Sequence, residues 1–107
     1  MRRVACMAFV VSAILVLATQ ARAADMSGKE LFDHYCTYCH GSSEGPGTMQ
    51  LRRTRGKDQA VLTERTNLSP DYIEYVVRHG LKSMPPFAPS DLTDARLRVL
   101  AAFLAKK

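Results

Sequence analysis

The sequence has no tryptophan, draws only 7% of its 107 residues from aromatics, and holds three cysteines and three histidines. A chain this short has room for one small domain and not for two. It shows no internal repeat and no low-complexity tract. Beyond residue 23 it nowhere alternates apolar and polar residues as a half-buried strand would, which argues against any sheet-based fold. Long runs of one charge are missing too. The single basic cluster, Arg52-Arg53-Thr54-Arg55-Gly56-Lys57, is short and reads as a solvated loop rather than a nucleic-acid footprint.

One long apolar run is present, and it stands at the front. After Arg2 and Arg3, the stretch from Val4 to Ala18 contains a single polar residue, Ser12, and the small-residue ending Ala21-Arg22-Ala23 follows. This is the layout of a secretory signal peptide, and cleavage after Ala23 is expected. A membrane span would need about twenty apolar residues, and Thr19, Gln20 and Arg22 interrupt the run too early. Cys6 precedes the apolar run, whereas a lipoprotein cysteine would follow it, so no stable membrane anchor is expected. The expected division is residues 1–23 as signal and 24–107 as one domain, exported to the periplasm. Without Arg2, Arg3 and Arg22 the remainder keeps 12 Lys+Arg against 10 Asp+Glu, a balance of +2. A domain of that size normally needs a disulfide, a metal or a cofactor to complete its core.

The two cysteines left in that domain say which. They lie in Cys36-Thr37-Tyr38-Cys39-His40, the C-x-x-C-H pattern of c-type haem attachment. Two thiols three apart on a helical turn can each reach one vinyl group of a haem edge and form a thioether. The histidine directly after the second thiol is carried under the ring, within reach of the iron. Three other readings compete. A dithiol redox motif wants strands around it, and none are expected. A zinc site wants four ligands, and Cys36, Cys39 and His40 supply three, with His34 and His79 at no paired spacing. A Cys36–Cys39 disulfide would close only a tiny loop. The export signal, the small core and the missing strands favour haem.

The expected architecture is all-α, with about four helical segments around the haem. Ser27 and Glu30 form a capping box opening a helix from Gly28 to about Tyr38, with Leu31, Phe32 and Tyr35 on one face. Gly41 to Gly47 is too punctuated for regular structure, with Pro46 read as a turn proline ahead of the alternative that it supports the haem on the His40 side. Asp58 to about Glu64 is a candidate short helix. Ser69-Pro70-Asp71 starts a helix that ends at Gly80 and buries Tyr72, Ile73, Val76 and Val77. Thr93-Asp94 opens the last helix, where Leu97, Leu100, Ala101 and Leu104 recur with helical period. In Met84-Pro85-Pro86-Phe87 the two prolines forbid helix and stiffen the chain. A methionine pinned there can present its thioether to the iron opposite His40, although methionine is also a common gap filler. Met49 and Met26 are worse placed.

These residues together resemble the monohaem class I cytochromes c of bacteria, from about Ser27 to Leu104. The resemblance rests on Cys36-Thr37-Tyr38-Cys39-His40, on Met84-Pro85 after a helix ending in Gly80, and on Gly28 with Phe32 facing Leu100 with Phe103 in the terminal helices. It implies a periplasmic electron carrier, not an enzyme. Haem c and its iron would be bound through Cys36 and Cys39, with His40 and Met84 as axial ligands. The tryptophan that family often places near a haem propionate is missing here; Arg53, Arg65 and Tyr75 are the substitutes at hand. The stretches Glu64-Arg65-Thr66-Asn67-Leu68 and Val76-Val77-Arg78-His79-Gly80-Leu81 are further similar to the cytochrome subunits of flavin-dependent phenol-oxidising dehydrogenases of the 4-cresol methylhydroxylase type. That similarity implies a flavoprotein dehydrogenase as electron donor, with a copper protein, cytochrome or oxidase as acceptor. It also places a docking face at Thr37, Tyr38 and the loop Met84 to Phe87, with Phe87 as its apolar anchor unless that ring packs inward. The rival from another class is a peroxidase or gas sensor in which Met84 leaves the iron and His79 serves as the distal group. A haem-free exported helical domain is the third reading.

Overall fold

A computed structural model describes residues 26–42 and 44–106; the expected signal segment, Cys6 included, lies outside the described residues. The described chain is helical and contains no β-strand. In order it forms α1 (Gly28–Tyr35), α2 (Thr37–His40), α3 (Pro46–Arg55), two 3₁₀ turns (Lys57–Gln59 and Leu62–Glu64), α4 (Pro70–His79) and α5 (Asp94–Leu104).

Local chemistry accounts for where these elements start. Ser27 caps α1 by accepting from the Glu30 amide, while the Glu30 carboxylate accepts from the Ser27 amide at 2.7 Å, which closes the expected capping box. Ser69 and Thr93 cap α4 and α5 by accepting from the amides of Tyr72 and Arg96. Pro70 occupies the first turn of α4, where its missing N–H costs nothing. Gly80, at φ +73°, ends that helix in a conformation that a side chain would resist.

The core is the seam between the terminal helices, with α4 laid against α5. Leu31 and Phe32 of α1, Ile73 and Val77 of α4, and Leu97, Leu100, Ala101 and Leu104 of α5 are buried together with Leu68 and Leu92. A fully buried Leu, Ile or Val contributes about 1.5–3 kcal/mol, so this seam carries much of the stability. Its closeness depends on Gly28, where an added Cβ would fall inside the van der Waals envelope of Phe103. Beside it the Phe32 and Phe103 rings meet at 6.2 Å between centroids. The expected meeting of Gly28 and Phe32 with Leu100 and Phe103 is the observed one.

Three expectations need correction. The first helix does not run unbroken to Tyr38. It closes at Cys36, whose φ of −118° departs from helical geometry, and a separate turn begins at Thr37. Pro46 is not a loop proline but the first residue of α3, and the basic cluster is in large part the last turn of that helix. Only Thr48 is buried on α3 and Leu51 half-buried, so it carries almost none of the apolar periodicity by which helices are recognised. Tyr72 stays 44% exposed and Val76 half-buried, so the α4 face toward α5 is narrower than expected.

Candidate functional site

The five-residue motif is held by backbone geometry. The Cys36 amide donates to the Phe32 carbonyl at 2.9 Å, ending α1. The Cys36 carbonyl then accepts from the amides of Cys39 at 3.1 Å and His40 at 2.8 Å. This turn presents Cys36 and His40 to the same cleft, while Tyr38 between them points outward and is 89% exposed. The two thiols are not joined to each other. Among the described residues no three His, Cys, Asp or Glu side chains cluster as a metal site would.

The histidine is cradled from the far side by α3. Thr48, fully buried, donates from its hydroxyl to the Gly41 carbonyl at 2.7 Å and so ties the first turn of α3 to the exit of the motif. Gly47 lies so close to the imidazole that an added Cβ would sit 2.7 Å from its Cε1 and 2.9 Å from its Nδ1. Burial lowers the His40 pKa, which keeps the ring neutral and its lone pair available. Nδ1 is buried without a hydrogen-bond partner. Burial, and secondarily the neighbouring Cys39, pushes the Cys36 thiol up to about 11.

The Met84 part of the site is built without a helix. After Gly80 the chain makes a tight turn, Leu81 to Met84, in which the Leu81 amide donates to the Met84 carbonyl at 3.1 Å and the Met84 amide to the Leu81 carbonyl at 3.0 Å. Lys82 takes the positive φ of 53° that this turn requires. A Cβ on Gly80 would meet the Met84 carbonyl oxygen at 2.6 Å, so glycine is what lets the turn fold back on the end of α4. Beyond the prolines, the Phe87 amide donates to the Val77 carbonyl at 2.8 Å.

One cleft therefore brings together Cys36, His40 and Met84, with walls supplied mainly by Leu51 of α3, Leu68, and Ile73, Val76 and Val77 of α4. Cys39 is half-buried within the same turn. An apolar slot bordered by a histidine, a thioether and a turn carrying two thiols has the donor set that a covalently attached haem requires. Of the side chains considered for a propionate, Arg65 borders the cleft, its Nε donating to Asn67 at 3.0 Å, and burial lowers its pKa. Arg53 is exposed on α3, and Tyr75 is exposed and stacked on His79. Phe87 is half-buried against the core and meets the Tyr35 ring edge-on at 6.1 Å, so it packs inward and is not an exposed anchor. Sequence reasoning missed Gly47, Thr48 and the Tyr35 hydroxyl, which donates to the Asp91 carbonyl at 2.9 Å. For the first two, a proline one residue after Gly45 was the available signal of a helix start.

Comparison with known proteins agrees with this geometry. Residues 23–104 match the family model described as cytochrome c oxidase, cbb3-type, subunit III. The chain is 33% identical over 94 residues to the 4-cresol dehydrogenase [hydroxylating] cytochrome c subunit of Pseudomonas putida, covering 86% of this chain and 72% of that protein. Among solved structures it is similar to p-cresol methylhydroxylase, with a TM-score of 0.57 and 34% identity across 74% of this chain and 90% of the other. The all-helical fold, the cleft and these similarities lead to one assignment: the chain belongs to the cytochrome c family, electron-transfer proteins that carry haem c, with its iron, covalently bound.

Proposed function

We propose that this cytochrome binds one haem c by thioethers at Cys36 and Cys39, with His40 and Met84 as the two axial ligands. The observation that carries the reading is that His40 and Met84, 44 residues apart in sequence, border one apolar cleft together with Cys36. The haem supplies one-electron exchange between ferric and ferrous iron. The chain's own residues do the rest. His40 offers a neutral nitrogen, Met84 a weakly donating thioether, and the aliphatic walls exclude water, and the last two favour the reduced form and raise the potential. Arg65 supplies a cation at the border of the cleft for a propionate. With both axial positions filled by protein, no substrate reaches the metal, and the role is that of a carrier.

The electron donor in this proposal is a flavoprotein dehydrogenase acting on a phenolic substrate, a reading supported by the similarity to a 4-cresol dehydrogenase subunit. The site of action is extracytoplasmic, in the periplasm after removal of residues 1–23, with a copper protein, cytochrome or oxidase as acceptor. Among the described residues no helix is long and apolar enough to cross a membrane. The peroxidase or sensor alternative asked for a distal group at His79. That imidazole is instead exposed, stacked on Tyr75 with Nδ1 2.8 Å from the Tyr75 carbonyl oxygen, and it does not border the cleft. The test is the optical spectrum of the purified ferric protein: a methionine charge-transfer band near the red edge of the visible is expected. Its absence, with Met84→Ala leaving the spectrum unaltered, would remove Met84 from the ligand set.

A further inference from the structure

The segment that carries Met84 runs from Gly80 to Leu92 without a helix, and one side chain of α4 fastens it. Arg78 is only 18% exposed. Its Nη1 donates to the Phe87 carbonyl at 3.0 Å, and its Nη2 donates to the Leu92 carbonyl at 2.8 Å and pairs with Asp94 Oδ1 at 2.6 Å. The guanidinium thus binds the segment three residues after Met84 and again where it enters α5. The adjoining Val77 carbonyl receives the Phe87 amide. Across the segment the Tyr35 hydroxyl holds Asp91. The two carbonyl contacts of Arg78 are part-buried, and hydrogen bonds from a charged donor there exceed ordinary neutral ones in strength.

We propose that Arg78 is a positioning residue for Met84: by clamping the Phe87 and Leu92 carbonyls to α4 it keeps the thioether on the iron and opposes its replacement by other ligands. This rests on the axial role given to Met84 above. The physical argument is one of local opening. Segments outside helices open at lower free energy than the core, and a thioether on ferric iron is a weak bond. What retains it is therefore the cost of moving the segment, and Arg78 supplies a large part of that cost.

The test uses the haem-loaded ferric protein, with imidazole as the probe that takes the place of the thioether. Arg78→Met keeps the side-chain stem and removes every donor; imidazole affinity is expected to rise about tenfold or more as both hydrogen bonds to the segment's carbonyls and the pairing with Asp94 are lost. The methionine band should disappear at correspondingly lower imidazole. Arg78→Lys offers a point charge in place of a planar fork and cannot hold both carbonyls, so it should fall between the two, and it serves if the Met variant does not retain haem. Leu97→Val, in the α5 core and away from the cleft, controls for general destabilisation and should leave imidazole affinity unchanged. Wild-type affinity in the Arg78 variants, or an equal rise in Leu97→Val, would overturn the positioning role while leaving the ligand assignment standing. A wild-type protein with no methionine band would overturn the ligand assignment, and the positioning role with it.

Discussion

The two borders of the cleft are made in different ways. On the His40 border, three short helices converge between Gly28 and Arg55: α1 ends at Cys36, α2 turns directly after it, and α3 presses Gly47 on the imidazole while Thr48 ties back to Gly41. On the Met84 border a non-helical segment hangs from the end of α4 by a tight turn, one backbone hydrogen bond and the Arg78 clamp. Local contacts, together with the two thioethers proposed at Cys36 and Cys39, would make the first border hard to displace. The second relies on a few specific, mutually dependent bonds. That asymmetry suits the proposed ligand pair, with His40 as the anchor and Met84 as the ligand that tunes.

The largest break in the comparison comes from removing the covalent half of it. Cys36→Ala with Cys39→Ala should abolish covalent haem completely, and His40→Ala should remove the histidine ligand and most of the folded protein. Intact mass spectrometry measures the first and haem content after purification the second. Covalent haem at a normal level in the double cysteine variant would show that the attachment lies elsewhere.

Next in size is the exchange of the tuning ligand. Met84→His should keep a folded, low-spin haem but lower the midpoint potential, because imidazole donates more strongly to ferric iron than a thioether does. The shift should be a sizeable share of the ~0.8 V over which axial ligands set haem potentials. A potential equal to the wild type in a redox titration would mean that Met84 is not on the iron.

A paired glycine experiment sharpens the contrast between borders. Gly80→Ala puts a Cβ at positive φ and against the Met84 carbonyl oxygen, and should cost about 1–3 kcal/mol, felt first as loss of the methionine band. Gly47→Ala meets the imidazole and the Cys39 carbonyl at an ordinary φ, with overpacking as its only cost, about 1–3 kcal/mol. If the proposed thioethers hold that side, Gly47→Ala should lower thermal stability with the methionine band retained. Equal loss of the band in both variants would erase the distinction.

The two borders were unequally legible in the sequence as well. C-x-x-C-H is a contiguous pattern whose spacing is its mechanism, and the caps at Ser27, Ser69 and Thr93 state their helices locally. Met84 could be reached only by way of the motif and its prolines. Arg78 could not be reached, since two of its three partners are backbone carbonyls 9 and 14 residues on, which leave no trace in residue identity, and the third, Asp94, is 16 residues away with no local pattern linking the two. The helix α3 was hidden for a different reason: its inward face is Thr48 and Leu51, and the cleft takes the place of an apolar stripe. Phe87 shows the limit of analogy, for an aromatic next to the ligand loop can anchor a partner or pack on Tyr35, and only the structure separates the two.

That last distinction gives the smallest predicted effect. Tyr38 lies between the two attachment cysteines, fully turned to solvent, while Phe87 on the opposite border is tucked against Tyr35. A flavoprotein donor that docks over the attachment turn would meet the Tyr38 ring first. Transient redox complexes bury little surface, so one aromatic contact counts for much of what holds them. Replacing an interface aromatic of this kind costs about 1–2 kcal/mol, so Tyr38→Glu should slow reduction by the donor roughly tenfold. Because that side chain touches nothing in the core, the spectrum, the potential and the rate with small chemical reductants should all stay as they were. Phe87→Glu should behave in the opposite sense, introducing a charge beside Tyr35 and loosening the segment that bears Met84, so that the methionine band and every reduction rate change together. Stopped-flow reduction of both variants by the flavoprotein and by a small reductant separates the two behaviours. An unchanged rate for Tyr38→Glu with the flavoprotein would move the docking face off the attachment turn, whereas a donor-specific defect in Phe87→Glu with an intact spectrum would return it to the Met84 border.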